Sequence, residues 1–238
     1  MEIMKNKIIL LAAISAFGMS FAGCTASFST GNNTATTAKP VNTASSPAAN
    51  KAANSDTTAK SDKSKPALTN EKKPEGTAKT AKNNPVPSDW IYVYDENKGY
   101  GFSVPAGTTG GQETSDGVDT FVASTPAPSE LGIVVISFKD KDMTKDNLLD
   151  VAVKFLEGMG ETVQAGKLTD ESDDYAVAEA TTMAGGKKGK AKILVGTDVT
   201  DNYVLIIGGD EDKYTANLKT IDEIWGSFEM WSGGASGN

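Results

Sequence analysis

"LGIVVISFK", residues 131–139, decides the fold class. Ile133, Val134, Val135 and Ile136 stand in a row, and β-branched side chains favour extended backbone. The run is too short for an ordinary helix and shows no alternation of apolar and polar residues. A strand that is apolar on both faces belongs in the middle of a sheet that is covered on both sides. The stretch therefore predicts a layered architecture, with packing elements above and below one sheet.

The sequence on either side supplies those elements. "TFVAST" (residues 120–125) predicts a neighbouring strand. "DWIYVYDENKGYGFSVP" (89–105) predicts a hairpin, with alternating Trp90, Tyr92 and Tyr94, a turn at Asn97–Gly99, and a return strand from Tyr100 to Val104 stopped by Pro105. On the C-terminal side Thr144 is placed to cap a helix. Leu148, Val151, Ala152, Phe155, Leu156 and Met159 recur at helical spacing, and Gly158 or Gly160 ends it. Further strands are expected at Glu161–Leu168, Tyr175–Met183, Lys188–Gly196 and Tyr203–Gly208. Along Tyr175–Met183, Ala176, Ala178, Ala180 and Thr182 share one face, and so small a face suits a closely packed helix. A last helix, capped by Asp210 or Asp212, carries Tyr214, Leu218, Ile221, Trp225 and Phe228 as one stripe.

The expected fold class is α+β, an antiparallel sheet sandwiched by helices. Three features of the chain resemble the PsbP-like, Mog-type fold: the hairpin "YDENKGYGFSVP", the strand and helix "IVVISF…LLDVAVKFL", and the closing "LKTIDEIWGSFE". The resemblance implies an α/β/α arrangement of the kind found in DcrB-like envelope proteins, and it implies no reaction, cofactor or site residue. Residues 88–232 are expected to form this single domain and 233–238 a flexible tail, since all three Trp and all six Tyr lie from Trp90 onward.

Composition removes much chemistry. The 238 residues contain no His and no Arg, and all 23 basic residues are Lys. The Ser–His–Asp and Cys–His arrangements are thereby excluded, as are the common zinc sites and the guanidinium fork. The single Cys, Cys24, excludes an internal disulfide. Residues 89–238 carry 12 Lys against 26 acidic residues, a balance that argues against nucleic acid as a partner.

Residues 1–23 predict an export signal. Lys5 and Lys7 precede an apolar run from Ile8 to Ala22 that is shorter than the ~20 residues a bilayer core requires. "FAGC", Phe21 to Cys24, resembles a bacterial lipobox, with Phe21 in place of the usual Leu. That resemblance implies cleavage between Gly23 and Cys24, a diacylglycerol on the Cys24 sulfur and an N-acyl chain on the new terminus. Two or more chains anchor stably. Thr25, in place of an aspartate, implies delivery to the outer membrane of a Gram-negative envelope. Residues 24–87, rich in Ala, Thr, Lys, Asn and Ser, have little to bury and are expected to be a disordered tether with an r.m.s. span on the order of 45 Å.

Acidic loops are the remaining candidates for chemistry. "TDESDD" contributes Asp170, Glu171, Asp173 and Asp174, and "GGDEDK" contributes Asp210, Glu211 and Asp212. Neither matches the spacing of a calcium loop. "GGKKGKAK" (185–192) lacks the spacing of a phosphate loop and predicts a lysine-tipped hairpin turn. Glu179 is an acid among strand residues, and Trp90, Tyr92 and Tyr94 are either core or a binding face. The function expected is a membrane-anchored, non-enzymatic binding or assembly module without a cofactor, engaging an envelope protein or polymer. The alternatives are a carboxylate-dependent hydrolase of envelope glycans and a calcium-binding surface protein.

Overall fold

The computed structural model describes residues 68–231; the export signal, Cys24, most of the expected tether and the expected tail lie outside them. Nearly all of the fold is built on one large antiparallel sheet. In chain order its strands are β4 (Thr109–Ser115), β5 (Val118–Ser124), β6 (Gly132–Lys139), β7 (Thr162–Ala165), β9 (Tyr175–Ala184), β10 (Lys187–Asp198) and β11 (Asp201–Asp210). In space they run β4-β5-β6-β11-β10-β9-β7, and β8 (Thr169–Asp170) pairs with β9 beside that path. Strand β6 is an interior strand, between β5 and β11. Ile133 and Val135 enter the core on one face, and Val134 and Ile136 enter it on the other.

Helix α1 (Lys145–Gly158) covers the second of these faces. Thr144 starts it with a capping box: its hydroxyl accepts from the Asn147 amide at 3.2 Å, and the Asn147 side chain accepts from the Thr144 amide at 3.3 Å. Leu148, Val151, Ala152, Phe155 and Leu156 then pack on Ile193, Val195, Val204 and Ile206. Ala176, Ala180 and Ala191 line the sheet beneath them, as the small face of Tyr175–Met183 predicts.

The opposite face is covered by α2 (Glu211–Ala216), α3 (Leu218–Gly226) and a second antiparallel sheet. That smaller sheet has the order β1-β12-β3-β2, from β1 (Ala78–Thr80), β2 (Ile91–Asp95), β3 (Tyr100–Val104) and β12 (Glu229–Trp231). Aromatic rings fill the space between. Tyr100 stacks on Phe228 at 5.9 Å, Phe102 meets Phe121 edge-on at 5.8 Å, and Tyr203 meets Phe228 edge-on at 6.0 Å. Gly196 makes room for this: a Cβ there would lie 2.8 Å from the Tyr175 ring.

The structure moves several expected boundaries. The fold takes up the chain some twenty residues before Ser88. Leu68 donates to the Thr108 carbonyl, Glu71 donates to the Tyr92 carbonyl at the β2 edge, and β1 pairs with β12. These ties are backbone hydrogen bonds in a segment whose apolar side chains are few, so composition alone reads it as tether. The final helix is two helices, broken at Asn217, whose side-chain amide donates to the Lys213 carbonyl at 2.8 Å. Asp210 ends β11 and makes no side-chain cap, and Leu218 falls off the buried stripe at 47% exposure. Strand β4 was not expected, because "TGGQETS" has no apolar face; it is an edge strand held by pairing to β5.

Candidate functional site

Cross-strand register aligns one row of residues on the aromatic side of the large sheet. Thr114 on β4 faces Asp119 on β5, which faces Ser137 on β6, which faces Tyr203 on β11. The next inward row is apolar, with Phe121, Val135 and Leu205. Polarity therefore switches over two residues of each strand, and the polar row lies beneath the β2–β3 turn.

That turn is built to meet it. Asp95 accepts from the Asn97 and Lys98 amides through its side chain, and its carbonyl accepts from the Gly99 amide at 2.8 Å. Gly99 takes a left-handed φ of 66° that closes the turn. The Tyr203 hydroxyl donates to the Lys98 carbonyl at 2.6 Å and fastens the turn to the sheet. The Lys98 ammonium then reaches Asp119, which is 2% exposed and also accepts from the Thr114 hydroxyl. Ser137 is 3% exposed, and its hydroxyl has no hydrogen-bond partner among the described residues. Leaving such a group unsatisfied costs about 1–3 kcal/mol.

Two adjoining clefts open here, of about 450 and 340 Å³, and Lys98 and Asp119 line both. Asn97, Gln112 and Thr114 line the larger, and Ser137, Phe138 and Tyr203 line the smaller. Lys139 and Asp201, also at the smaller cleft, form a second ion pair at 3.5 Å. The clefts thus offer hydroxyl, amide and carboxylate groups; both lysines are paired with aspartates, and Asp95 and Asp116 add two further carboxylates. Burial pushes the Tyr203 phenol well above its ordinary range, with Asp201 adding to the effect, so the phenol stays a hydrogen-bond donor at neutral pH.

The residues singled out in the sequence lie elsewhere. Cys24 and Gly23 fall outside the described residues. Asp170 pairs with Lys145 at 2.9 Å, Asp174 with Lys79 at 2.8 Å, and Glu211 with Lys190 at 3.1 Å, while Asp173 and Asp212 are exposed. Hydrogen bonds to Asp174 and then Asp198 raise the Lys79 pKa. Among the described residues, no three His, Cys, Asp or Glu side chains gather closely enough to hold a metal ion. Glu179 is solvent-facing and lies 3.8 Å from Lys192. The Glu71 carboxyl is pushed up by burial, with the Asp95 charge adding, and it does not line either cleft. "GGKKGKAK" forms the β9–β10 hairpin, with left-handed Gly185 and Gly186 at its tip.

Tyr92 and Tyr94 are half-buried on the small sheet rather than in the core, whereas Val93 between them is buried. Their rings stack at 6.4 Å, and Trp231 meets Tyr94 edge-on at 6.4 Å. The Lys73 ammonium lies 5.9 Å from the Tyr92 ring and 5.8 Å from the Trp231 ring, and it pairs with the buried Glu229 at 2.5 Å. The segment before β1 therefore occupies this aromatic patch with its own lysine.

No protein-family model matches the chain, and neither does any curated protein. Among solved structures it is similar to the cyanobacterial PsbP (CyanoP) of Synechocystis sp. PCC 6803, at 20% identity and a TM-score of 0.48, over 61% of this chain and 95% of that one. It is also similar to a protein of Bacteroides thetaiotaomicron VPI-5482, at 12% identity and a TM-score of 0.40, over 60% of this chain and 49% of that one. A third is LpqN of Mycobacterium tuberculosis, described as involved in cell envelope biogenesis, at 14% identity and a TM-score of 0.35, over 65% and 83% of the two chains. At such scores the likenesses assign no function. The fold itself defines the class as α+β, an antiparallel sheet packed between helices, with a small second sheet on one side.

Proposed function

We propose that the chain is a lipoprotein of the bacterial cell envelope whose folded part binds an envelope protein or polymer without catalysing a reaction on it. The observation that carries this reading is the lipobox-like Phe21–Cys24 behind a lysine-led apolar run. Cys24 then bears the diacylglycerol and N-acyl chains, the residues before it are removed, and Thr25 directs the protein to the outer membrane of a Gram-negative envelope. Among the described residues no helix is long and apolar enough to cross a membrane, which is compatible with anchoring by lipid. The absence of His and Arg and the ion-paired state of Lys98 and Asp119 favour recognition over catalysis.

Metabolic labelling tests the anchor. Wild-type chain should take up labelled palmitate and sediment with membranes. Cys24→Ser should take up none and appear in the soluble fraction. Labelling that persists in Cys24→Ser sinks the assignment.

A further inference from the structure

We infer that the cleft at Lys98 and Asp119 binds one ring of a neutral, hydroxyl-rich saccharide, a unit of the envelope polymer that the function proposed above would engage; the inference rests on that reading. Ser137 carries it. The residue is 3% exposed and lines the smaller cleft, and its hydroxyl lacks a hydrogen-bond partner among the described residues. A hydroxyl both donates and accepts, and the group that best complements it is another hydroxyl.

The charges around it disfavour an anion. Lys98 pairs with Asp119 and Lys139 with Asp201, and Asp95 and Asp116 add carboxylates of their own, so an anion would find no free cation in the lining. At the adjoining cleft Asn97 presents a side-chain amide suited to a ring hydroxyl, and Gln112, whose Nε2 donates to Asp95, keeps its amide oxygen to accept from another. The edge of the Tyr203 ring supplies apolar surface for the ring's carbon-bound hydrogens. The smaller cleft, of about 340 Å³, lies at the small end of the ~300–1,000 Å³ typical of ligand pockets, a size for one ring, whose edge then reaches the larger cleft beside it. Preorganisation is already in place, because Asp95 and Tyr203 fix the Lys98 backbone from two sides.

The test titrates the full processed chain, in detergent micelles, with N-acetylglucosamine and with glucose, and follows backbone amide shifts. Saturable shifts confined to the segments around Lys98, Asp119 and Ser137, with a millimolar Kd, are expected for at least one of the two sugars. Ser137→Ala should weaken that binding about tenfold, the loss of one good hydrogen bond. Its thermal midpoint should stay level or rise, because an unsatisfied hydroxyl has been removed. Gln112→Ala, at an exposed position, should weaken binding without affecting folding. Absence of localised shifts with both sugars overturns the inference, as does equal binding by Ser137→Ala. A lower midpoint for Ser137→Ala with binding intact also overturns it, since a bound water would then satisfy that hydroxyl. The two proposals fail separately: a chain that is lipidated yet binds neither sugar loses the ligand class and keeps the anchor, whereas a chain that binds sugar yet takes up no palmitate loses the anchor and keeps the cleft.

Discussion

The two faces of the large sheet are packed by different means. On the α1 side, Leu148, Phe155 and Leu156 meet Val, Ile and Ala, and the buried polar residues Thr120 and Asn202 stand at the margin, in register with Ile136 and Phe138. On the other side, stacked and edge-on aromatic rings give way to the row Thr114, Asp119, Ser137 and Tyr203. An aliphatic layer under a helix leaves little for a ligand to contact. A layer made from a turn, a small sheet and two short helices meets the large sheet unevenly, and clefts open where its cover ends. One face supplies stability, and the other spends some of it on a polar site.

Disrupting the α1 side should have the largest effect on stability and none on the site. Phe155→Ala should cost about 3–5 kcal/mol in denaturant unfolding, with saccharide shifts retained by the folded fraction. On the opposite side, Lys98→Met leaves the Asp119 carboxylate buried without its cation. The loss should be about 2 kcal/mol, below the ~3–5 typical of fully buried pairs, because the Lys98 side chain is 31% exposed. Saccharide binding should be lost with it.

Alkali offers a subtler separation of the faces. Burial raises the phenols of Tyr100, Tyr175, Tyr203 and Tyr214 above their ordinary value of 10.0, and all four belong to the aromatic side. Above about pH 10 the unfolded chain releases these protons while the folded chain retains them, so stability falls as pH rises. Below that pH their contribution is fully present. Tyr203→Phe should lose about 1 kcal/mol at neutral pH with its bond to the Lys98 carbonyl, and should soften the alkaline decline. If hydrogen exchange on α1 accelerates before exchange around Tyr203 as pH is raised, the faces are not separable in this way.

Much of the framework was legible because it is written in periodicity. The unbroken apolar run of β6, the capping box at Thr144 and the alanine face of β9 each state a local preference that packing then honours. Residues 68–80, β4 and β12 state none; their strands are short or polar, and pairing to neighbours holds them. The site was illegible for a related reason. Asp119 shares a strand face with Phe121, and Ser137 shares one with Ile133 and Val135, so each is a polar residue at an inward position. That parity was the available signal. Register between strands distant in sequence was needed to turn it into a row, and the β2–β3 turn was needed to place Lys98 above it. Trp231 stands in an aromatic patch occupied by Lys73, a contact that needs the segment before β1.

The difference between the faces can be read in living cells. A photo-crosslinking residue in place of exposed Gln112, on the cleft side, is to be compared with one in place of exposed Lys154 on α1. In the lipid-anchored protein, envelope glycan or an envelope protein should be captured from position 112 and not from position 154. Capture from position 154 alone would place the working surface on the aliphatic side and contradict the assignment of the binding site.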